Sequence, residues 1–361
     1  MMQRSDRPAS TPMPPSPSRL FASDNAAGAH PQVLDALVAA NHGHALAYGA
    51  DVWTRRATEA FSALFDRDVE VLFTFGGTGA NVVALATVLP PAHAVVCSQW
   101  AHIAVDEAGA PERFLGSKLI LVDSDDGTVS ADQIRTLDVL RGSQHHAPPG
   151  VLSLTQVTEV GAVWSPETLA DTCAAARELG MSVHLDGARI ANACAALGGR
   201  DPLRRMVADV DVVSFGGTKV GAVYGEAVVL LNPTSRRHAA NLRKQATQLP
   251  SKMRYIAAQY EALLSDDLFI ELATRANRKA QELHARLDNC REIELGPRPP
   301  ANSLYPRLPR NVKESLQAWS FFWDWDHADG RVRWMTSWDT SDEDVERFVA
   351  GVRWACDNTD N

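Results

Sequence analysis

The 361-residue sequence contains no run of about 18 apolar residues, so no membrane-spanning helix is predicted. Positive charge is scarce: 35 lysines and arginines stand against 44 aspartates and glutamates, a formal net charge of −9, which argues against nucleic acid or an anionic membrane as the main partner. Cysteine is also scarce, and its spacing contains no Cys-x-x-Cys pair, so no metal site is predicted. An odd number of scattered cysteines indicates reduced thiols in a cytoplasmic protein. The five are Cys97, Cys173, Cys194, Cys290 and Cys356.

The N-terminal residues are rich in proline and serine and lack the apolar segment of a signal peptide. Residues 1–19 are therefore predicted to be a disordered tail. The remaining chain is long enough to bury a large core and to form two domains. We expect a large domain over 20–250 and a small C-terminal domain over 251–361.

Short apolar runs alternate with helical patterns through the first two-thirds of the chain. This alternation is typical of an α/β fold with a mostly parallel, doubly wound sheet. After Asn232 the pattern is helical to about Leu287, and a final helix over 342–356 is predicted to be capped by Ser341. The predicted strands are 69–75, 94–97, 119–122, 150–155, 183–185, 210–215 and 227–230, and the helices between the earlier ones include 76–87, 102–108, 131–137 and 166–179.

Lys219 follows the predicted strand 210–215 directly after a Gly-Gly-Thr loop. A lysine at the end of a buried strand is suited to forming a Schiff base with pyridoxal phosphate (PLP). The glycines allow close approach of a bulky cofactor, and the hydroxyl of Thr218 or Ser214 can contact its phosphate. The simpler alternative is a surface lysine after a glycine turn.

Asp186 ends the predicted strand 183–185, at the edge of a sheet where ligands bind in open α/β folds. PLP needs a carboxylate beside its pyridine nitrogen, because a protonated nitrogen makes the ring an electron sink. Neighbouring strands would point Asp186 and Lys219 into one cleft. The alternative is an ordinary Asp-Gly turn.

The glycine-rich segment Gly76–Asn81 lies between the strand 69–75 and a helix. Free amides at a helix N-terminus bind anions, so the amides of Thr78 and Gly79 are predicted to hold the cofactor phosphate. A plain helix start is the usual meaning of such a loop. The segment lacks the ending of a nucleotide P-loop and the spacing of a dinucleotide fingerprint, which favours PLP over ATP or NAD.

Taken together, these segments resemble the L-threonine aldolases, PLP enzymes of fold type I in the β-eliminating lyase superfamily. The resemblance implies a large domain with a mostly parallel seven-stranded sheet flanked by helices, and a small C-terminal α+β domain. It implies cleavage or formation of the Cα–Cβ bond of L-β-hydroxy-α-amino acids, for example L-threonine or L-allo-threonine to glycine and acetaldehyde. The branch of the family that it resembles also includes aldolases for phenylserine-type substrates. It further implies a homodimer or homotetramer with shared active sites. The matching segments are Phe21–Asn25, Tyr48–Asp51, Gly77–Asn81, Ala101–Glu112, His184–Arg189, Ser214–Lys219, Arg243–Lys244 and Ser251–Gln259.

The resemblance also implies roles around the cofactor. Lys219 would form the Schiff base, beside Thr218, and Asp186 would pair with the pyridine nitrogen. Arg189 would hydrogen-bond the phenolic oxygen of the cofactor, and is also assigned to substrate binding. His102 would lie flat on the ring face, although a helix-capping or core histidine is the alternative.

On the substrate side, the resemblance implies that Arg333 holds the α-carboxylate with help from Ser23. Arg331, two residues earlier in the same predicted strand, is the competitor if the register is off by two. Tyr48 lies in a loop expected to cross between subunits and is assigned to substrate binding.

The segment 155–161 departs from many family members, which carry a histidine there. The base that removes the β-hydroxyl proton therefore stays open. Glu159 is one option and a phosphate-linked water is another, while Thr158 would only orient the hydroxyl.

Two classes of alternative remain. The first is other PLP chemistry: β-elimination, transamination or racemisation. The second is a catalytically silent PLP-fold binding protein, against which Lys219, Asp186 and Arg189 together argue. Tryptophan is frequent late in the chain and is predicted to serve core packing rather than the substrate entrance. These residues are Trp319, Trp323, Trp325, Trp334, Trp338 and Trp354.

Overall fold

The main sheet has seven strands within the residues that the structure, a computed structural model, describes: 12–326 and 329–358. The strands are β1 (Glu70–Thr74), β2 (Ala94–Ser98), β3 (Leu119–Val122), β4 (Pro149–Thr155), β5 (Ser182–Gly187), β6 (Val212–Phe215) and β7 (Glu226–Leu230). Their spatial order is β1-β7-β6-β5-β4-β2-β3. Neighbours pair in parallel except at β7, which runs antiparallel to β6 and β1. The predicted α/β fold with a mostly parallel sheet is confirmed.

Both faces of this sheet are buried at its centre, whereas the edge strand β3 is partly exposed. Along β7, Ala227 and Val229 pack into one apolar core, whereas Val228 and Leu230 pack into another on the opposite face. A sheet buried on both faces needs helices on each side. The helices of this part are α1 (Pro31–Ala40), α2 (Val52–Phe65), α3 (Gly77–Val88), α4 (His102–Val105), α5 (Ala110–Leu115), α6 (Ala131–Thr136), α7 (Pro166–Glu178), α8 (Ile190–Leu197), α9 (Arg200–Met206), α10 (Ala239–Gln245), α11 (Arg254–Leu264) and α12 (Leu268–Leu287).

The predicted helix 102–108 is wrong in its extent. The chain ends α4 early and begins α5 after Ala108 and Gly109, which have φ angles of 51° and 72°. Positive φ values interrupt an α-helix, so two short helices replace one. The helices α8 and α9 were not assigned from the sequence.

A second, three-stranded sheet belongs to the C-terminal part of the chain, in the order β8-β10-β9. Ser341 caps the final helix as predicted, because its Oγ accepts a hydrogen bond from the backbone N–H of Asp344 at 3.2 Å. The elements are β8 (Ser303–Leu304), α13 (Arg310–Trp319), β9 (Trp323–Asp326), β10 (Arg331–Met335) and α14 (Asp342–Asn358).

The two apolar cores meet within α12 rather than at the predicted boundary between 250 and 251. The core beneath the large sheet extends through Ala273, and the C-terminal core includes Ala280 and Leu283. The displacement arises because α11 packs against α1 and α2, so this helix belongs to the large core. One continuous helix, α12, then supplies side chains to both.

Part of the predicted disordered tail is ordered against the C-terminal part. Arg19 forms an ion pair with Asp344 at 3.1 Å, and Trp319 Nε1 donates a hydrogen bond to the carbonyl of Pro14 at 2.8 Å. The prediction is therefore wrong for residues 14–19, while residues 1–11 lie outside the described residues. Among the described helices, none combines the length and apolar character that a membrane crossing requires.

Candidate active site

A cavity of about 290 Å³ lies where β4, β5 and β6 end and α3 begins. It is bordered by side chains from strands and loops that are distant in sequence, as expected at the carboxyl ends of parallel strands. The structure brings most of the predicted cofactor residues together here, along with the candidate base Glu159. These cofactor residues are Thr78, His102, Asp186, Arg189, Thr218 and Lys219.

Asp186 lies at the end of β5 with both carboxylate oxygens fixed. Its Oδ2 accepts a hydrogen bond from Asn81 Nδ2 at 2.8 Å, and its Oδ1 accepts one from the backbone N–H of Ala188 at 3.0 Å. The side chain is buried. A buried carboxylate held by two donors is positioned to bind a cationic nitrogen in the cavity.

Asn81 also connects Asp186 to His102. Its Nδ2 donates a second hydrogen bond, to Glu107 Oε1 at 2.8 Å, and the same oxygen lies 2.8 Å from His102 Nδ1. The hydrogen bond with Glu107 raises the pKa of His102. Sequence reasoning assigned no role to Asn81 or Glu107, because nothing in their spacing shows that they share one buried network.

Lys219 lies in the short 3₁₀ turn Thr218–Val220 that follows β6. Burial lowers its pKa, and the nearby Arg189 guanidinium lowers it further. A lowered pKa increases the fraction of neutral amine, which is the nucleophilic form.

Glu226, at the start of β7, supports the loop that carries Lys219. Its Oε2 accepts a hydrogen bond from the backbone N–H of Gly217 at 2.6 Å and lies 3.2 Å from the hydroxyl of Tyr260. Burial raises the pKa of Glu226. The sequence reasoning missed Glu226, since only the antiparallel pairing of β7 with β6 brings it to the cavity.

Arg189 forms a bidentate ion pair with Asp24, which the sequence reasoning also missed. Its Nε and Nη2 donate to the two Asp24 oxygens at 2.7 and 3.0 Å. Burial opposes the charge on Asp24, but Arg189, Lys219 and Asn302 together outweigh that effect and lower the pKa of Asp24. Asn302 Nδ2 donates to the same carboxylate at 3.1 Å. Arg189 borders the cavity, so the predicted contact with a cofactor oxygen stays a prediction.

Arg333, on β10, is half-buried and forms no ion pair with a carboxylate among the described residues. It donates to the carbonyl of Ala22 at 3.3 Å, and its guanidinium carbon lies 4.5 Å from the centre of the Trp325 ring. Its Nε is buried without a partner among the described residues. Burial lowers its pKa, and Arg189 adds to the effect. A partly buried guanidinium with no carboxylate partner among the described residues can bind an anionic group.

The competitor Arg331 is occupied elsewhere, since its Nε donates to Asp329 at 2.5 Å.

Ser23 directly precedes the helical turn Asp24–Ala26, and its Oγ accepts from the backbone N–H of Asn25 at 3.2 Å. Among the late tryptophans, Trp334 is buried in the core as predicted, and the ring of Trp325 lies against the Arg333 guanidinium.

Five predicted residues do not border the cavity: Ser23, Tyr48, Gly79, Thr158 and Arg333. Thr158 is turned away: its hydroxyl donates to the carbonyl of Asp126 at 2.6 Å and accepts from the N–H of Ala162 at 2.9 Å, so its proposed role towards substrate is wrong. The Gln248 side chain covers Gly79, where an added Cβ would lie 2.3 Å from its carboxamide carbon. Tyr48 is exposed in the loop before α2, and its N–H donates to the carbonyl of Ser251 at 2.9 Å.

Glu159 presents an unpaired carboxylate oxygen in the interior. Its Oε1 accepts a hydrogen bond from the backbone N–H of His102 at 2.7 Å, whereas its Oε2 is buried without a partner among the described residues. Burial raises its pKa to about 7, and the negative charge of Asp186 contributes. A carboxylate with this pKa can exchange a proton near neutral pH.

Comparison with known proteins identifies the family of this chain. Residues 21–303 match the β-eliminating lyase family. The low specificity L-threonine aldolase of Pseudomonas aeruginosa is 41% identical over 336 residues, covering 92% of this chain and 96% of that protein. Its counterpart from another Pseudomonas is 40% identical, covering 93% and 97%. The structure of Leishmania major threonine aldolase superposes with a TM-score of 0.86 at 32% identity, covering 92% and 98%. The chain therefore belongs to the β-eliminating lyase family, among the relatives of the L-threonine aldolases.

Proposed function

We propose that this enzyme is a PLP-dependent carbon–carbon lyase that cleaves, or in reverse forms, the Cα–Cβ bond of L-β-hydroxy-α-amino acids. L-Threonine or L-allo-threonine would give glycine and acetaldehyde. The observation that carries the proposal is the unpaired Glu159 oxygen in the cavity that also contains Lys219 and Asp186. Cleavage of the Cα–Cβ bond requires a base for the β-hydroxyl proton, in the same cavity as the amine of Lys219 and the fixed carboxylate of Asp186.

The chemistry of the cavity fits PLP. Lys219 offers an amine of lowered pKa, and Asp186 offers a buried carboxylate for the pyridine nitrogen. The start of α3 at Thr78 offers amide donors to a phosphate, and His102 offers a flat ring. When bound, PLP supplies an electron-withdrawing ring that accepts the electron pair released at Cα.

Substrate binding and proton removal are carried out by different residues of the protein. Arg333, which donates to the carbonyl of Ala22, binds the substrate α-carboxylate together with Ser23, the next residue along the chain, and orients the Cα–Cβ bond of the substrate. Glu159 accepts the β-hydroxyl proton at Oε2, and the bond breaks as the hydroxyl carbon becomes an aldehyde. The Asp24–Arg189 pair keeps the guanidinium in place at the cavity wall.

The test is a panel of threonine, allo-threonine and phenylserine stereoisomers, with aldehyde, keto acid and ammonia measured separately. We expect equimolar aldehyde and glycine from L-isomers. Ammonia and keto acid without aldehyde would identify β-elimination instead. A protein that neither reacts nor develops the absorbance of bound PLP would be the silent binding protein.

The proposal extends to a homo-oligomer with shared active sites, either a dimer or a tetramer. Apolar side chains are exposed at the cavity entrance, where Phe75 is 48% and Tyr224 is 40% exposed, beside Val223 at 46%. Exposed apolar groups in one region are typical of a surface that a partner covers. The five cysteines are free thiols, which supports the expected cytoplasmic location.

A further inference from the structure

Two of the five cysteines lie together in the C-terminal part, outside the active-site cavity. Cys290 follows the end of α12, and Cys356 lies in the last turn of α14. Their sulfur atoms are 3.5 Å apart, although 66 residues separate them in the sequence. The other three cysteines are fully buried, whereas these two are partly exposed.

A carboxylate completes this cluster. Glu292 Oε2 lies 3.4 Å from Cys290 Sγ, and the three donor atoms all lie within 4.8 Å of one another. Glu292 is exposed, so solvent reaches the group.

The two separations that involve Cys290 Sγ, 3.5 Å to Cys356 Sγ and 3.4 Å to Glu292 Oε2, are close to those of ligands around one tetrahedral metal ion. With Zn–S bonds of about 2.3 Å and a Zn–O bond of about 2.0 Å, tetrahedral angles place two sulfurs about 3.8 Å apart and a sulfur and an oxygen about 3.5 Å apart. A metal would therefore need little movement of the pair. A disulfide would require the sulfurs to approach to about 2.05 Å.

The surroundings favour a cation. Cys356 and Cys290 lie at the carboxyl ends of two helices, where the partial negative charge of the helix dipole stabilises positive charge. The positively charged Arg353 side chain already binds at the carboxyl end of α12, where its Nη2 donates a hydrogen bond to the carbonyl of Arg286 at 2.7 Å.

We infer that Cys290, Cys356 and Glu292 form a binding site for a thiophilic divalent cation of the Zn²⁺ class, with water as the fourth ligand. Each thiol releases its proton to solvent as its sulfur binds the metal, so no oxidant or reductant is involved. The bound cation links the end of α12 to the end of α14 and stabilises the C-terminal part of the fold. This site is independent of the proposed lyase chemistry.

The test uses the full-length protein with its cofactor, reduced and then freed of reductant and metal without exposure to oxygen. Titration with Cd²⁺ alone should produce ultraviolet thiolate-to-metal absorbance that saturates at one ion per chain, and Zn²⁺ should abolish that absorbance by competition. Zn²⁺ should also raise the thermal unfolding temperature.

Cys290→Ser and Cys356→Ser should each lose the absorbance and the thermal shift, and Glu292→Gln should bind several-fold more weakly. Cys173→Ser, at a buried cysteine, is the matched control and should bind like the unmodified protein. Circular dichroism confirms that each variant is folded. Equal Cd²⁺ uptake by the Cys290→Ser variant would overturn the site. So would a reduced protein that takes up no Cd²⁺ but forms a Cys290–Cys356 disulfide with glutathione disulfide, because the pair would then be a redox pair.

Discussion

At the scale of single residues, Lys219 carries the most specific expectation. Lys219→Ala should abolish turnover and covalent capture of PLP, because it removes the cavity amine whose pKa burial lowers. Mass spectrometry after borohydride reduction measures the captured cofactor directly. Lys118→Ala, at an exposed lysine, is the control and should retain full capture. A Lys219→Ala protein that still carries one reduced PLP would disprove the assignment.

Glu159 should set the pH dependence. Burial raises its pKa to about 7, so the rate should fall about tenfold per pH unit below that value as the base becomes protonated. The same shift has a stability consequence of known sign. A raised folded pKa contributes stability that is full below the unfolded value of 4.5 and is lost as the pH rises through about 7.

Glu159→Gln should lower kcat by about 10²- to 10⁴-fold and remove the acidic limb of the profile. Glu167→Gln, at an exposed position of α7, should leave both unchanged. An acidic limb that persists in Glu159→Gln would mean that another group, such as a phosphate-linked water, is the base.

Arg333 should affect substrate affinity and leave the cofactor unaffected. Arg333→Ala should raise KM about 10- to 100-fold through loss of a charge-assisted hydrogen-bonding pair, with an unchanged PLP absorbance spectrum. Arg331→Ala is the matched control, because Arg331 is paired with Asp329. If Arg331→Ala gives the higher KM, the two arginines have exchanged roles.

At the scale of elements, β7 holds the loop that carries Lys219 in place through the Glu226 carboxylate. Glu226→Ala should leave the Gly217 N–H and the Tyr260 hydroxyl without their carboxylate partner, at a cost of about 1–3 kcal/mol in the free energy of unfolding. The loosened loop should also slow capture of PLP by the apo-protein. Stopped-flow absorbance measures that rate, and urea unfolding measures the stability.

Glu226→Gln is the conservative control, since its carbonyl oxygen can still accept from Gly217. It should restore most of the capture rate. If Glu226→Ala captured PLP at the unmodified rate, the carboxylate would have no positioning role.

At the scale of the whole molecule, we expect an obligate homo-oligomer. Dilution should dissociate it with parallel loss of activity and of PLP, because exposed apolar groups such as Phe75 and Tyr224 border the cavity that each site uses. Light scattering combined with activity over a dilution series tests this. Tyr224→Ser should weaken the assembly, whereas Val139→Ser, at an exposed apolar residue away from the cavity, should not. A fully active monomer would contradict the expectation.

Sequence reasoning reached the residues whose role depends on where a strand ends. Lys219 and Asp186 were recognised this way, because a buried strand followed by glycine indicates the binding edge of a sheet. It failed at Thr158, whose hydroxyl is occupied by Asp126 and Ala162. It also missed Asp24, since its partner Arg189 is 165 residues away and neither residue reveals the other locally.

By itself, the sequence determined the alternation of strands and helices, and with it the parallel sheet and the edge where the cavity lies. Those features follow from side-chain periodicity, which acts over a few residues. Only the tertiary structure decided that β7 runs antiparallel and brings Glu226 under the Lys219 loop. It also decided that α12 is shared by two cores and that Cys290 meets Cys356. Contacts between distant segments depend on how the whole chain packs, and no local pattern encodes that packing.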